Sequence, residues 1–200
     1  MKFTINLFLI LGLVSCANFS QYQEAYKNLW DVYFDTSQVS KELYLKSPYS
    51  FMTFKFANQK KALLVLVSFK DGLAHWISED EVSIYTLKGK IIKTKGLMHD
   101  IEFSHNFDPL NINSNAFEIN FKDPMLLNQL ATSKITNNGT KEIIYLDENI
   151  NIDVYEERVK LNAIHESFNN SYFLYDQKVI YSKQKIHPFL AEIELRFFFK

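Results

Sequence analysis

The carboxylates Glu79, Asp80 and Glu81 are adjacent, as are Glu156 and Glu157. Two carboxyls roughly 5–10 Å apart across a cleft are the apparatus of glycoside hydrolysis. Neighbours along a strand point to opposite faces, so Glu156 and Glu157 do not serve one site together. Both runs read as solvated surface charge, with Asp80 a turn residue, and no catalytic residue is assigned. The histidines, His75, His99, His105, His165 and His187, are widely spread, and no H-E-x-x-H occurs. Neither a metal site nor a cofactor is expected. A G-x-S-x-G elbow is missing, as are both glycine-rich phosphate-binding patterns, so nucleotide binding has no support. Trp76, Tyr85, Tyr172 and Tyr175 are the candidate carbohydrate contacts, because an aromatic face complements the C–H face of a sugar. The competing reading is core packing, since a sheet-rich domain buries most of its aromatics.

One further residue carries chemistry. Cys16 is the single cysteine of the chain, so no internal disulfide forms. It follows Lys2 and an apolar run from Phe3 to Val14, with Ser15 immediately before it. That run is shorter than the roughly 20 residues needed to span a bilayer, and it has the layout of a secretory signal. Leu13-Val14-Ser15-Cys16 resembles the bacterial lipobox. The resemblance implies cleavage between Ser15 and Cys16, a diacylglycerol on the Cys16 thiol and an acyl chain such as palmitate on the new amine. Residues 1–15 are then a signal peptide, and 16–200 one mature lipoprotein domain. Three acyl chains exceed the marginal anchoring given by one. Ala17, where the resembling sorting rule has Asp for inner-membrane retention, implies the outer membrane, with the domain facing the periplasm.

The elements behind this anchor are mostly strands. The formal net charge is −1, with no basic block, which argues against nucleic acid. Aromatics make up 16% of the chain, with 18 Phe and 11 Tyr, residues that suit a pleated, half-buried surface. Residues 16–19 form a short tether. The spacing of Phe19, Tyr22, Tyr26, Leu29, Trp30 and Tyr33 predicts an amphipathic helix over 20–34. Its acidic polar face favours packing on the domain over lying on a membrane. The β-domain spans 48–200. Residues 50–56 alternate, and 62–69 is a continuous apolar run, the pattern of a strand buried on both faces or of a barrel wall. Turns are expected at Asp71-Gly72, Lys88-Gly89-Lys90, Asn137-Asn138-Gly139, Asp147-Glu148-Asn149, Asn169-Asn170-Ser171 and Asp176-Gln177-Lys178. Short strands at such spacing suggest an antiparallel sandwich or barrel. Pro124 to Ala131 reads as one short helix with proline in its first turn. The closing Phe197-Phe198-Phe199 must be covered to avoid an aggregating edge.

An ordered set of segments runs through the mature chain: Ser47-Pro48-Tyr49-Ser50, the apolar strand at 63–69, His75-Trp76-Ile77-Ser78-Glu79-Asp80, the hairpin at 87–94 and Asp108-Pro109-Leu110. Val154-Tyr155-Glu156-Glu157 and Tyr172-Phe173-Leu174-Tyr175-Asp176 follow. Behind a lipobox, this set resembles the YjbF/GfcB family of bacterial lipoproteins. Tyr155 stands where that family has tryptophan, and Lys178 lies in a turn where it has glycine. The resemblance implies a mainly β fold, an antiparallel β-barrel or strongly curved sheet, and association with group 4 capsule or exopolysaccharide secretion. It brings no catalytic residues. The expected function is an outer-membrane lipoprotein, non-enzymatic, that assists assembly or secretion of surface polysaccharide. Its partners would be outer-membrane lipid through Cys16 and either polysaccharide or export-machinery proteins. The alternatives are a polysaccharide hydrolase and a β-barrel carrier of lipid or lipoprotein.

Overall fold

The computed structural model describes residues 39–56, 61–104, 110 and 114–200. Cys16, the tether and the expected helix at 20–34 lie outside the described residues. The described chain opens with a short helix α1 (Lys41–Lys46), capped by Ser40, whose hydroxyl accepts from the Leu43 amide at 3.2 Å. Twelve strands follow: β1 (Phe51–Phe56), β2 (Ala62–Lys70), β3 (Leu73–Ile77), β4 (Ser83–Leu87), β5 (Lys90–Lys95), β6 (Ile101–Phe103), β7 (Asn115–Lys122), β8 (Met125–Tyr145), β9 (Glu148–Leu161), β10 (Glu166–Tyr175), β11 (Lys178–Gln184) and β12 (Ile193–Phe198).

Each strand pairs antiparallel with the next in sequence, and β12 returns to β1, closing the sheet into an up-and-down barrel. The seam pairs Phe51 with Phe198 and Phe54 with Leu195. Five hairpins turn on two residues. One is Asp123-Pro124, between β7 and β8. The other four are Asp71-Gly72, Lys88-Gly89, Leu146-Asp147 and Asp176-Gln177, whose eight residues all have positive φ. That is the primed turn whose twist matches the flanking strands.

Packing separates the two faces of the wall. Met52, Leu64, Trp76, Ile84, Phe121, Tyr172, Leu195 and Phe197 belong to a cluster that fills the interior. Phe51, Leu63, Val65 and Phe198 point outward into a second cluster with Leu43 of α1. This accounts for the unbroken apolar run of β2, a wall strand covered on both sides. The terminal phenylalanines divide between the clusters, and closure leaves β12 no open edge. The covering is completed from a distance. β9 pairs with β10 only as far as Asp153, so the far part of the β8–β9 hairpin is a two-stranded arm that pairs with no third strand. At its tip the Tyr145 ring stacks on Phe198 at 5.8 Å, and its hydroxyl donates to the Phe197 carbonyl at 2.9 Å. Asp147 accepts from the Lys41 amide at 2.9 Å, and Glu148 pairs with the Lys41 ammonium.

Three local expectations are corrected. Residues 124–131 are not a helix, because from Met125 they extend as the first part of β8, paired with β7, with the Asn128 amide held by Asn120 Oδ1 at 2.7 Å. Asn137-Asn138-Gly139 is not a hairpin turn but a register shift inside β8, where the arm leaves the wall. Asn169-Asn170-Ser171 likewise lies within β10.

Candidate functional site

Two polar constellations stand out, one inside the barrel and one on its outer wall. The inner one is built on Glu157. The alternation of β9 turns Glu157, Val159 and Leu161 inward. Lys90 enters from the start of β5, just behind the β4–β5 turn, and its ammonium pairs with Glu157 Oε1. The other carboxylate oxygen accepts from Asn170 Nδ2 and from the Tyr172 hydroxyl, each at 2.9 Å. The ammonium also lies over the Phe117 ring at 4.7 Å and the Phe103 ring at 5.4 Å. Side-chain exposure is 2% for Lys90 and 0% for Glu157. Burial pushes the Glu157 carboxyl up, but the Lys90 charge and the three hydrogen bonds outweigh it and hold the group below its ordinary value. Burial depresses Lys90 against the pull of Glu157 and raises Tyr172 well above its usual range. Beside this cluster Gln184 donates to the Gly89 carbonyl at 2.8 Å and accepts from the Ile91 amide at 2.9 Å, tying β11 to β5 across the interior. With its carboxylate enclosed and committed to Lys90, the cluster cross-braces β5, β9, β10 and β11.

The expectation of solvated charge therefore fails at Glu157 and holds for Glu79, Asp80 and Glu81, which are exposed in the β3–β4 connection. Glu156 faces outward, so the two neighbours do point to opposite sides. The aromatic candidates are not brought together. Trp76 and Tyr172 are 0% exposed inside the barrel, where no polymer reaches them. Trp76 donates from Nε1 to Thr86 at 3.0 Å, and Tyr172 is spent on Glu157. Tyr85 lies half-buried on β4, stacked on His75 at 4.1 Å. Tyr175 is 46% exposed at the end of β10, on another wall.

The outer constellation is a polar cleft of about 560 Å3 on the outside of β8, β9 and β10. Across three strands the register aligns Lys134 with Arg158 and Asn169, Thr132 with Lys160, and Thr136 with Glu156. Lys134, Arg158 and Lys160 are exposed, and none has an acidic partner within ion-pair distance among the described residues. This site was not assigned from the sequence, although period-two spacing of Glu156, Arg158 and Lys160 placed them on one face. Among the described residues no cluster of His, Cys, Asp and Glu is arranged to hold a metal.

The profile of a family described as "Group 4 capsule polysaccharide lipoprotein gfcB, YjbF" matches residues 26–198. The chain belongs to this family. Comparison with curated proteins gives no match. Among solved structures, the hypothetical lipoprotein YmcC from Escherichia coli (K12) is similar with a TM-score of 0.71 at 19% identity, over 84% of this chain and 92% of that one. A putative lipoprotein from Parabacteroides distasonis ATCC 8503 gives a TM-score of 0.37 at 8% identity, over 76% and 94% of the two chains. Membership of the YjbF family relates the chain to capsule polysaccharide and to an envelope lipoprotein. The similarity to YmcC supports the barrel fold alone.

Proposed function

We propose that this YjbF-family protein is an outer-membrane lipoprotein, held through acylated Cys16 with its barrel in the periplasm, that assists assembly or secretion of a surface polysaccharide without turning it over. The observation that carries the reading is the family match over residues 26–198. The lipobox-like Leu13-Val14-Ser15-Cys16 supports the anchor. A contact role is supported by where the carboxylates lie: Glu157 is locked to Lys90, and Glu156 stands in the cleft among cations rather than opposite a second open carboxylate. A carrier needs an empty groove, whereas the interior here is occupied by packed side chains.

The test is a deletion strain complemented with the wild-type gene or with Cys16→Ala. The deletion is expected to lower surface polysaccharide. Cys16→Ala is expected to leave the protein out of the outer-membrane fraction and to restore little polymer. Unchanged polymer in amount and composition in the deletion strain sinks the proposal. Shortening of the polymer by purified protein would instead support the hydrolase alternative.

A further inference from the structure

Lys134 of β8 and Arg158 of β9 are register partners, so their backbones stand about 5 Å apart with both side chains on the outer face. Like charges placed directly opposite on a sheet destabilise it. Lys160 adds a third cation two residues along β9, on the same face. Among the described residues lining the cleft, the one carboxylate on this outer face is Glu156, at the other end of the β9 row. Four polar side chains surround the cations: Thr132 and Thr136 on β8, and Ser167 and Asn169 on β10. The cleft volume, about 560 Å3, falls within the roughly 300–1,000 Å3 of ligand sites, room for a short oligosaccharide segment. Three cations against one carboxylate, set among hydroxyls and an amide, are a surface for a ligand that is both anionic and rich in hydroxyls. None of these residues is a large apolar side chain of the kind that inserts into a lipid surface.

We infer that this cleft on β8–β10 binds an acidic stretch of polysaccharide, with Lys134, Arg158 and Lys160 receiving the carboxylate or phosphate of its sugars and the threonines and Asn169 its hydroxyls. The inference rests on the polysaccharide role proposed above and names the class of polymer. Guanidinium and ammonium groups supply charge-assisted hydrogen bonds to such anions, Arg158 in two-point fashion. Binding is therefore salt-sensitive.

The experiment is calorimetric titration of the purified full-length protein with oligogalacturonate, with neutral maltoheptaose as control. Oligogalacturonate is expected to bind and maltoheptaose to bind at least about tenfold more weakly, a difference near 1.4 kcal/mol. The triple variant K134Q/R158Q/K160Q is expected to lose at least about tenfold in affinity, while K178Q, at the β10–β11 turn, stays like wild type. All three positions are exposed, and relief of like-charge contact leaves the triple variant no less stable. Should it melt early, Arg158→Glu alone gives the same readout. Equal binding of the two oligomers, or no loss in the variants, overturns the inference. So does binding to phosphatidylglycerol vesicles without binding to oligogalacturonate, which makes the cleft a membrane contact. A deletion strain that lacks polymer, with no oligogalacturonate binding, removes this site and leaves the proposed role. Binding in a protein whose deletion changes no polymer does the reverse.

Discussion

At the scale of single residues, the pair Lys90–Glu157 decides more than any other. Breaking a buried ion pair from one side leaves an uncompensated charge and costs about 3–5 kcal/mol, whereas replacing both members by apolar groups is often neutral or better. Lys90→Met is therefore expected to lower stability by that amount in urea unfolding at pH 7, and K90M/E157L to regain most of it. A double variant no more stable than K90M means that Asn170 and Tyr172, not Lys90, set the environment of Glu157. The deficit of Lys90→Met also depends on pH. In the wild type the Glu157 pKa is depressed, so its contribution is present above the unfolded carboxyl value and lost as pH falls below it. Without Lys90 the carboxyl is raised by burial, and the deficit shrinks in acid. His187 titrates in a higher window. Burial first, then His99 stacked at 4.9 Å, push it down to about 4, with Asp123 pulling weakly the other way. The folded form keeps it neutral, so stability is full above its unfolded value and falls as pH drops from about 6.5 towards 4, by about 1–3 kcal/mol. His187→Asn, which keeps an acceptor for the Phe189 amide, is expected to flatten the melting temperature between pH 7 and 5. An unaltered slope in that variant assigns the acid sensitivity elsewhere. Glu157 reads as surface charge in the sequence, although its phase with Val159 and Leu161 was a signal that it turns inward. Its partner was not legible, because Lys90 lies 67 residues away and only barrel closure joins them.

Elements were legible where local chemistry and tertiary pairing agree. Asp71-Gly72 and Lys88-Gly89 announced tight hairpins, and the alternation of residues 50–56 announced a wall strand. They were not legible where long-range pairing overrides propensity. Pro-Met-Leu-Leu-Asn-Gln-Leu-Ala has helix-forming residues behind a proline, yet β7 offers a partner strand and wins. Asn137-Asn138-Gly139 has turn chemistry, spent on bending a long hairpin rather than ending it. The outer cleft went unread for a related reason: its cations are 24 residues apart in sequence and meet only through the β8–β9 register. Two glycines separate backbone conformation from close packing. Gly89 and Gly139 have nearly equal φ, +86° and +85°. A Cβ on Gly89 would sit 2.5 Å from the Val179 Cβ, whereas one on Gly139 meets nothing within 4 Å. Gly139→Ala is expected to cost about 1 kcal/mol of backbone strain. Gly89→Ala adds overpacking and is expected to cost about 2–4 kcal/mol, read from denaturant midpoints. Equal losses at the two sites show that the approach of the β4–β5 turn to β11 yields easily.

At the scale of the whole molecule, closure is what the linear pattern does not contain. Eleven of the twelve strand pairings join neighbours in sequence, and the twelfth, β1 with β12, joins Phe51 to Phe198 across the length of the domain. Local hairpins form early, while the seam must wait for a long loop to close. The seam is also where packing is two-sided, with Phe197 inside, Phe198 outside, and α1 and the arm tip laid over it. Removing residues 193–200 takes away more than one strand. It opens two edges, on β1 and β11, strips Phe51, Met52 and Phe54 of their partners, and deprives Tyr145 of both Phe198 and the Phe197 carbonyl. An open sheet with long unpaired edges pairs with other copies. The truncated chain is expected to lose the single cooperative melting transition and to elute as aggregates. A chain shortened only by Lys200 is expected to melt within a few degrees of wild type, since among the described residues Lys200 bonds to Tyr44 and Ser50 at the rim. A monomeric, cooperatively melting chain without β12 shows that the hairpin meander and its core hold the fold without the seam. The wall carrying the outer cleft, β8 to β10, would then keep its register without β12, and oligogalacturonate titration of that chain reads it directly.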